Sequence, residues 1–376
     1  MIYLDYNSTT PLLPEVWEAM QPFFVTRWGN PSSAYRFGAQ LKAEIDRAHE
    51  TVAALVGAEA DEVVFTSCAT ESNNAAMNAA LTAQPNKRHI ITSAVEHSAV
   101  LNFCKAAEKR GYQVTYLGVK ADGLCDLAEF AEAIKADTAL VSLMWANNET
   151  GVLSPVEEIA KVCREKGVLF HCDAVQAVGK ISVEANIISA DYLTISAHKL
   201  YGPKGIGALC IRNGAPFEPM IIGGHQEAGR RGGTENVGLI VGFGVAADLA
   251  KRKLTERAAQ VGPLRDELES EILNAIPGSR VNGNPALRIP NTTNIGFDGI
   301  DSDAMVAFLD GHGVCVSSGS ACMANALTPS HVVLAMTQSV AKAKQAIRFS
   351  LSHLTTTKEI IEVGERVKQG SALLRV

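Results

Sequence analysis

At 376 residues, 47% of them hydrophobic, the chain is long enough for one large core and a smaller satellite, and no run approaches the ~18 consecutive apolar residues of a membrane span. The opening Met1-Ile2-Tyr3-Leu4-Asp5-Tyr6 lacks the basic, then apolar, then small-residue order of a secretion signal, so a soluble cytoplasmic protein is expected. A formal net charge of −6 without any long Lys/Arg run argues against direct nucleic-acid binding.

In chain order, residues 14–24 and 38–56 read as helices, the first led by Pro14. From about 60 to 212, short β-rich runs alternate with helical patterns. The expected strands are 63–66, 90–92, 114–118, 140–144, 168–171, 192–196 and 207–211. Among the helices between them is 156–165, where Val156, Ile159, Ala160 and Cys163 share a face. Such alternation predicts an α/β fold: a mainly parallel, mixed seven-stranded sheet covered on both sides. Beyond about 250 the pattern changes. A long charged helix (255–275) precedes strand 292–297, helix 301–311, strands 314–317 and 346–351, and a last helix from Thr357. That reads as a separate, smaller α+β unit, with the boundary near residue 255.

Functional groups of a parallel sheet gather at the carboxyl ends of its strands, and five polar turns fall there. Thr66-Ser67-Cys68-Ala69-Thr70-Glu71 enters a helix, where free amides and the Thr70 hydroxyl suit an anion; simple N-capping explains the same residues. Val95-Glu96-His97-Ser98, Ala146-Asn147-Asn148-Glu149 and His171-Cys172-Asp173-Ala174-Val175-Gln176 could each be an ordinary turn or cap.

Ser196-Ala197-His198-Lys199 carries more. A lysine ending an apolar strand beside an anion seat is the setting of a Schiff-base lysine, and Asp173 in the same sheet would pair with a pyridinium nitrogen. Together they suggest pyridoxal 5'-phosphate (PLP). A Gly-rich run from Gly223 to Asn236 holds Arg230 and Arg231 and suits anion contact, a subunit interface or a plain solvated loop.

The eight cysteines are scattered and form no CxxC pair, so most are small buried hydrophobes. Cys315 falls in an alternating strand and is expected to be buried and inert. Cys322 lies in Ser317-Ser318-Gly319-Ser320-Ala321-Cys322, a run of small residues expected to expose a reactive thiol.

Together with Tyr3-Leu4-Asp5-Tyr6-Asn7-Ser8-Thr9-Thr10, Trp28-Gly29-Asn30-Pro31-Ser32-Ser33 and Ile347-Arg348-Phe349-Ser350, these motifs resemble the NifS/IscS-type cysteine desulfurases, PLP enzymes of aminotransferase-like fold type I. The resemblance spans essentially the whole chain. It implies a PLP-binding domain over 13–255 and a small α+β domain over 1–12 and 256–376 that carries the cysteine loop. Lys199 would hold PLP, and His97 would stack on its ring and move protons. Asp173 would meet the ring nitrogen and Gln176 the ring hydroxyl oxygen. Ala69, Thr70, Ser196 and His198 would hold the phosphate, joined by Thr234 from the other subunit of a homodimer. Asn148 and Arg348 would fix the substrate carboxylate. Cys322 would take sulfur from L-cysteine as a persulfide, leave alanine, and pass the sulfur to an acceptor protein such as an iron–sulfur scaffold.

Three positions depart from the family pattern: Cys68 replaces a common Gly, Met323 follows the nucleophile, and Ser352-His353-Leu354 follows the Arg348 strand. The chain also ends at Val376 without the longer tail some members carry. Selenocysteine lyase or another PLP β-lyase on the same fold is the alternative activity. A PLP-free interaction protein is the alternative class, opposed by the presence of Lys199, Asp173, His97 and Cys322 together.

Overall fold

The computed structural model describes residues 1–319 and 329–375; Cys322 and Met323 lie outside the described residues. A seven-stranded sheet forms the larger part, in the order Val63–Thr66, Gly207–Ile211, Tyr192–Ser196, Leu169–Asp173, Thr138–Met144, His89–Ser93 and Gln113–Leu117. Gly207–Ile211 runs antiparallel to both neighbours, and the other pairings are parallel. Six strands therefore end on the same edge. The Thr138–Met144, Tyr192–Ser196 and Gly207–Ile211 strands are buried at every residue, because helices cover both faces. That is why they read in sequence as continuous apolar runs. Full burial of side chains such as Phe170 and Phe243 contributes about 1.5–3 kcal/mol each.

A second core gathers Ile2 and Leu4 with Leu268, Phe297, Leu309, Phe349 and Val367. Its four-stranded antiparallel sheet has the order Ser317–Ser318, Ala346–Ser350, Thr292–Phe297 and Ser279–Val281. Ile2–Tyr3 pairs in parallel with Val314–Cys315 as a separate two-stranded ladder.

Several elements differ from expectation. Residues 14–24 form two short helices, Pro14–Met20 and Pro22–Val25, because Pro22 opens a new first turn. The chain near 38 likewise divides into Arg36–Ala39 and Lys42–Val56. Strand 314–317 splits at Val316, its halves joining different sheets. Cys315 is half-buried rather than buried, on a two-residue strand with only one partner.

The largest difference is the charged helix, which begins not near 255 but at Val237 and runs unbroken to Ala275. Its first half is rich in glycine because it packs closely. A Cβ on Gly244 would sit 3.0 Å from Ala48 Cα, and one on Gly242 2.4 Å from Met20 Sδ. Its second half supplies Val261, Leu268 and Ile272 to the second core, so the helix joins the two.

Candidate active site

The carboxyl ends of the strands and the turn after Ile2–Tyr3 enclose a cavity of about 280 Å³. Ala69, Thr70, His97, Asn148, Asp173, Gln176, Ser196, His198, Lys199 and Arg348 all line it, drawn from six separate stretches of chain. Thr234 does not: it is exposed in a different recess, beside Ser67 and Arg231.

The Val63–Thr66 strand leads into the Ala69–Ala83 helix, whose N-cap, Cys68, makes no side-chain cap. The first amides of that 15-residue helix thus have no side-chain partner from the cap, and Ala69 and Thr70 line the cavity. Cys68 has φ −176°, extended backbone that any residue adopts, so a side chain here costs no strain. Glycine is needed opposite, at Gly207, where a Cβ would lie 2.8 Å from Cys68 C and 2.9 Å from Ala69 N.

His97 caps the Ser98–Glu108 helix, its Nδ1 accepting from Ala99 N at 3.2 Å. The ring is therefore pinned with Nε2 left to carry a proton. Burial pulls its pKa down, with Asp173 opposing and Lys199 and His331 assisting. Asp173 ends its strand 6% exposed, with Oδ1 accepting from Val175 N at 3.1 Å and Oδ2 from Asn73 Nδ2 at 2.8 Å.

Lys199 follows the Tyr192–Ser196 strand in a single 3₁₀ turn and donates from Nζ to the main-chain oxygens of Asn7 and Ser8, 2.6 Å each. His198 Nδ1 lies 3.1 Å from Thr9 Oγ1, and burial, aided by Lys199 and Lys204, lowers its pKa to about 4. The imidazole stays neutral and keeps one N–H to donate.

Arg348 reaches the cavity already engaged. Its Nη1 donates to Asn148 O at 2.8 Å and its Nη2 pairs with Asp5 Oδ1 at 2.6 Å, while Nε meets no partner among the described residues. A substrate carboxylate would have to share this guanidinium with Asp5.

Three site residues carry no role in the sequence reading: Asn73, Asn7 and Lys180. Asn73 stands one helical turn after Thr70, a spacing that could have flagged it. Asn7 gives no such signal; 1% exposed, it bonds to Asn148, Thr292, Asn291 and Lys180 through its side chain alone. Burial beside Lys199 and Arg348 pushes the Lys180 pKa well down.

The chain belongs to the aminotransferase class-V family, whose model matches residues 2–363. Within it the chain is similar to the cysteine desulfurase of Trichormus azollae, 52% identical over 97% of this chain and 91% of that one. It is similar also to cysteine desulfurase NifS of Azotobacter vinelandii, 46% identical over 100% and 93%. Among solved structures it resembles a NifS-like protein with a TM-score of 0.93 and 36% identity, covering 99% of this chain and 100% of that one. It also resembles SspA in complex with cysteine, with a TM-score of 0.82 and 37% identity over 93% and 99%.

Cysteine desulfurases of this family depend on PLP. The cavity fits that group on its own terms. The buried Ser196 Oγ and Asn148 Oδ1 both border it and have no hydrogen-bond partner among the described residues, which a native site leaves only where something else supplies one. The amides at the start of the Ala69–Ala83 helix suit a phosphate, and the doubly held Asp173 suits a ring cation.

Proposed function

We propose that this chain is a cysteine desulfurase in which Lys199 holds PLP and Cys322 accepts the sulfur of L-cysteine. One observation carries the reading of the site: Lys199, Asp173 and His97 share a cavity bordered by the buried Ser196 Oγ and Asn148 Oδ1, which lack partners among the described residues. Bound PLP supplies an electron sink that makes the Cβ–S bond of cysteine labile. Asp173, held in place by Asn73 and Val175, would keep the proton on the ring nitrogen, and Gln176 would face the ring hydroxyl oxygen. Ala69, Thr70, Ser196 and His198 hold the phosphate. His97, fixed through Nδ1, would stack on the ring and use Nε2 to move protons. Asn148 and Arg348 take the substrate carboxylate, Arg348 by releasing part of its hold on Asp5.

The Cys322 thiolate attacks the substrate sulfur. An S–S bond forms, the Cβ–S bond breaks with its pair left on Cβ, and a proton there completes alanine. Cysteine and thiol thereby become alanine and a Cys322 persulfide, with no added oxidant.

We also propose the division into a PLP domain over 13–255 and a small domain over 1–12 and 256–376, supported by the two cores. A homodimer in which Thr234 serves the partner's phosphate is supported by the exposure of Thr234 outside its own cavity. No helix among the described residues is long and apolar enough to cross a membrane, which suits a cytoplasmic enzyme handing sulfur to an acceptor protein.

The direct test is borohydride reduction of the yellow holoprotein and mapping of the labelled peptide, which should contain Lys199. A label on Lys180 or Lys204 would overturn the reading.

A further inference from the structure

Lys180 has no part in the chemistry above, yet its amine is turned inward beside the cavity. It donates to Gln176 Oε1 and, at 3.0 Å, to Asn7 Oδ1. The direction of each amide here follows from groups that can only accept. Asn148 O is a carbonyl oxygen, so the Asn7 atom 3.2 Å from it is the Nδ2 donor. That turns Asn7 Oδ1 toward Asn291 Nδ2, at 3.0 Å, and toward Lys180. Asn7 O is also a carbonyl oxygen, so the Gln176 atom 2.9 Å away is Nε2, and Oε1 faces Lys180. A lysine amine has hydrogens enough for both oxygens whether or not it is protonated.

Every member of this relay is thereby oriented, and the second Nε2 hydrogen of Gln176 has no acceptor among the described residues while Gln176 borders the cavity. We propose that Lys180 is a positioning residue that fixes the Gln176 amide with N–H, and not carbonyl oxygen, presented to the cavity. The site then offers a donor to an oxygen anion on its ligand, and, resting on the PLP reading, that oxygen is the ring hydroxyl oxygen of the cofactor. Removing Lys180 leaves Oε1 without a donor and frees the amide from one of its two anchors.

The test is absorbance of the PLP-loaded protein at one fixed pH, since the anionic and neutral forms of the ring oxygen absorb at different wavelengths. Loss of one hydrogen bond to a charged oxygen should lower the ratio of anionic to neutral form about tenfold in Lys180→Met. In a Gln176→Ala background, the same Lys180→Met change should add nothing. Gln176→Glu, which keeps Lys180 but can present only an acceptor, should shift the ratio in the same direction as Lys180→Met. An unchanged ratio in Lys180→Met or in Gln176→Glu would overturn the proposal. So would a full shift that persists without Gln176, because the lysine would then act through charge alone. A wild-type protein that takes no colour from PLP sinks the reading of the site itself, whereas coloured wild type with spectrally silent variants sinks only the role of Lys180.

Discussion

Replacing Glu96 by Gln should change how stability depends on pH, because this carboxyl is buried beside the site with no paired cation among the described residues. It is 1% exposed; Oε1 accepts from Ser93 Oγ at 2.8 Å and Met144 N at 2.9 Å, and Oε2 has no partner among the described residues. Burial raises its pKa from an ordinary 4.5 to about 8, the two hydrogen bonds opposing and Asp173 adding to the rise. The folded protein therefore keeps a proton that the unfolded chain sheds. The contribution of this group to stability is fully present below about pH 4.5, falls as pH rises, and levels off above about pH 8. At ~1.4 kcal/mol per pH unit, the full window is worth roughly 5 kcal/mol at most, of which about 3 kcal/mol is lost by about pH 7.

Glu96→Gln keeps the Oε1 acceptor and never ionises. Its N–H₂ meets the same partnerless space as the acid O–H, so that cost enters as a constant offset. Urea unfolding of wild type and variant should show the variant gaining on wild type by about 2.5 kcal/mol between about pH 5 and pH 7. Cofactor release and subunit dissociation enter both proteins alike, so the difference is the quantity to follow. Parallel stability curves across that range would refute the buried, proton-holding state of Glu96.

Asp173→Asn should retain PLP but lower turnover on the order of 10²-fold or more, the scale for removing one preorganised electrostatic group, as steady-state kinetics with cysteine will show. Cys322→Ala should bind cysteine, with the accompanying spectral change, and yield almost no persulfide by mass spectrometry. Cys315→Ser should keep near wild-type activity, since this half-buried thiol is raised in pKa by burial and sits on the short strand that pairs with Ile2–Tyr3, not in the cavity lining. Gly207→Ala should weaken PLP binding and cost about 1–3 kcal/mol in thermal unfolding, because its Cβ would press on the backbone at Cys68 and Ala69.

Six of the seven large-sheet strands were legible in the residues because strands buried on both faces must be continuously apolar; Val63–Thr66, Tyr192–Ser196 and Gly207–Ile211 match to the residue. The polar turns closing them were legible too, since a strand end with Asp, His or Lys stands out against an apolar run. Ser279–Val281 and Ile2–Tyr3 were not, being short edge strands without a full apolar face. The first half of the Val237–Ala275 helix was also hidden. Gly238, Gly242 and Gly244 lower helix propensity locally, and only packing against Phe24, Met20 and the Lys42–Val56 helix makes them favourable.

Composition and strand-end chemistry thus determined an α/β protein with a lysine, an aspartate and a helix N-terminus on one sheet edge, because those are local properties of apolar runs and the turns that end them. Only the tertiary structure decided which polar groups hold them. Asn73 reaches Asp173 across 100 residues, and Asn7 reaches Gln176 and Asn291 across 169 and 284. A buried amide reveals its role through the partners it finds, and partners so far apart in sequence leave no period or spacing to read.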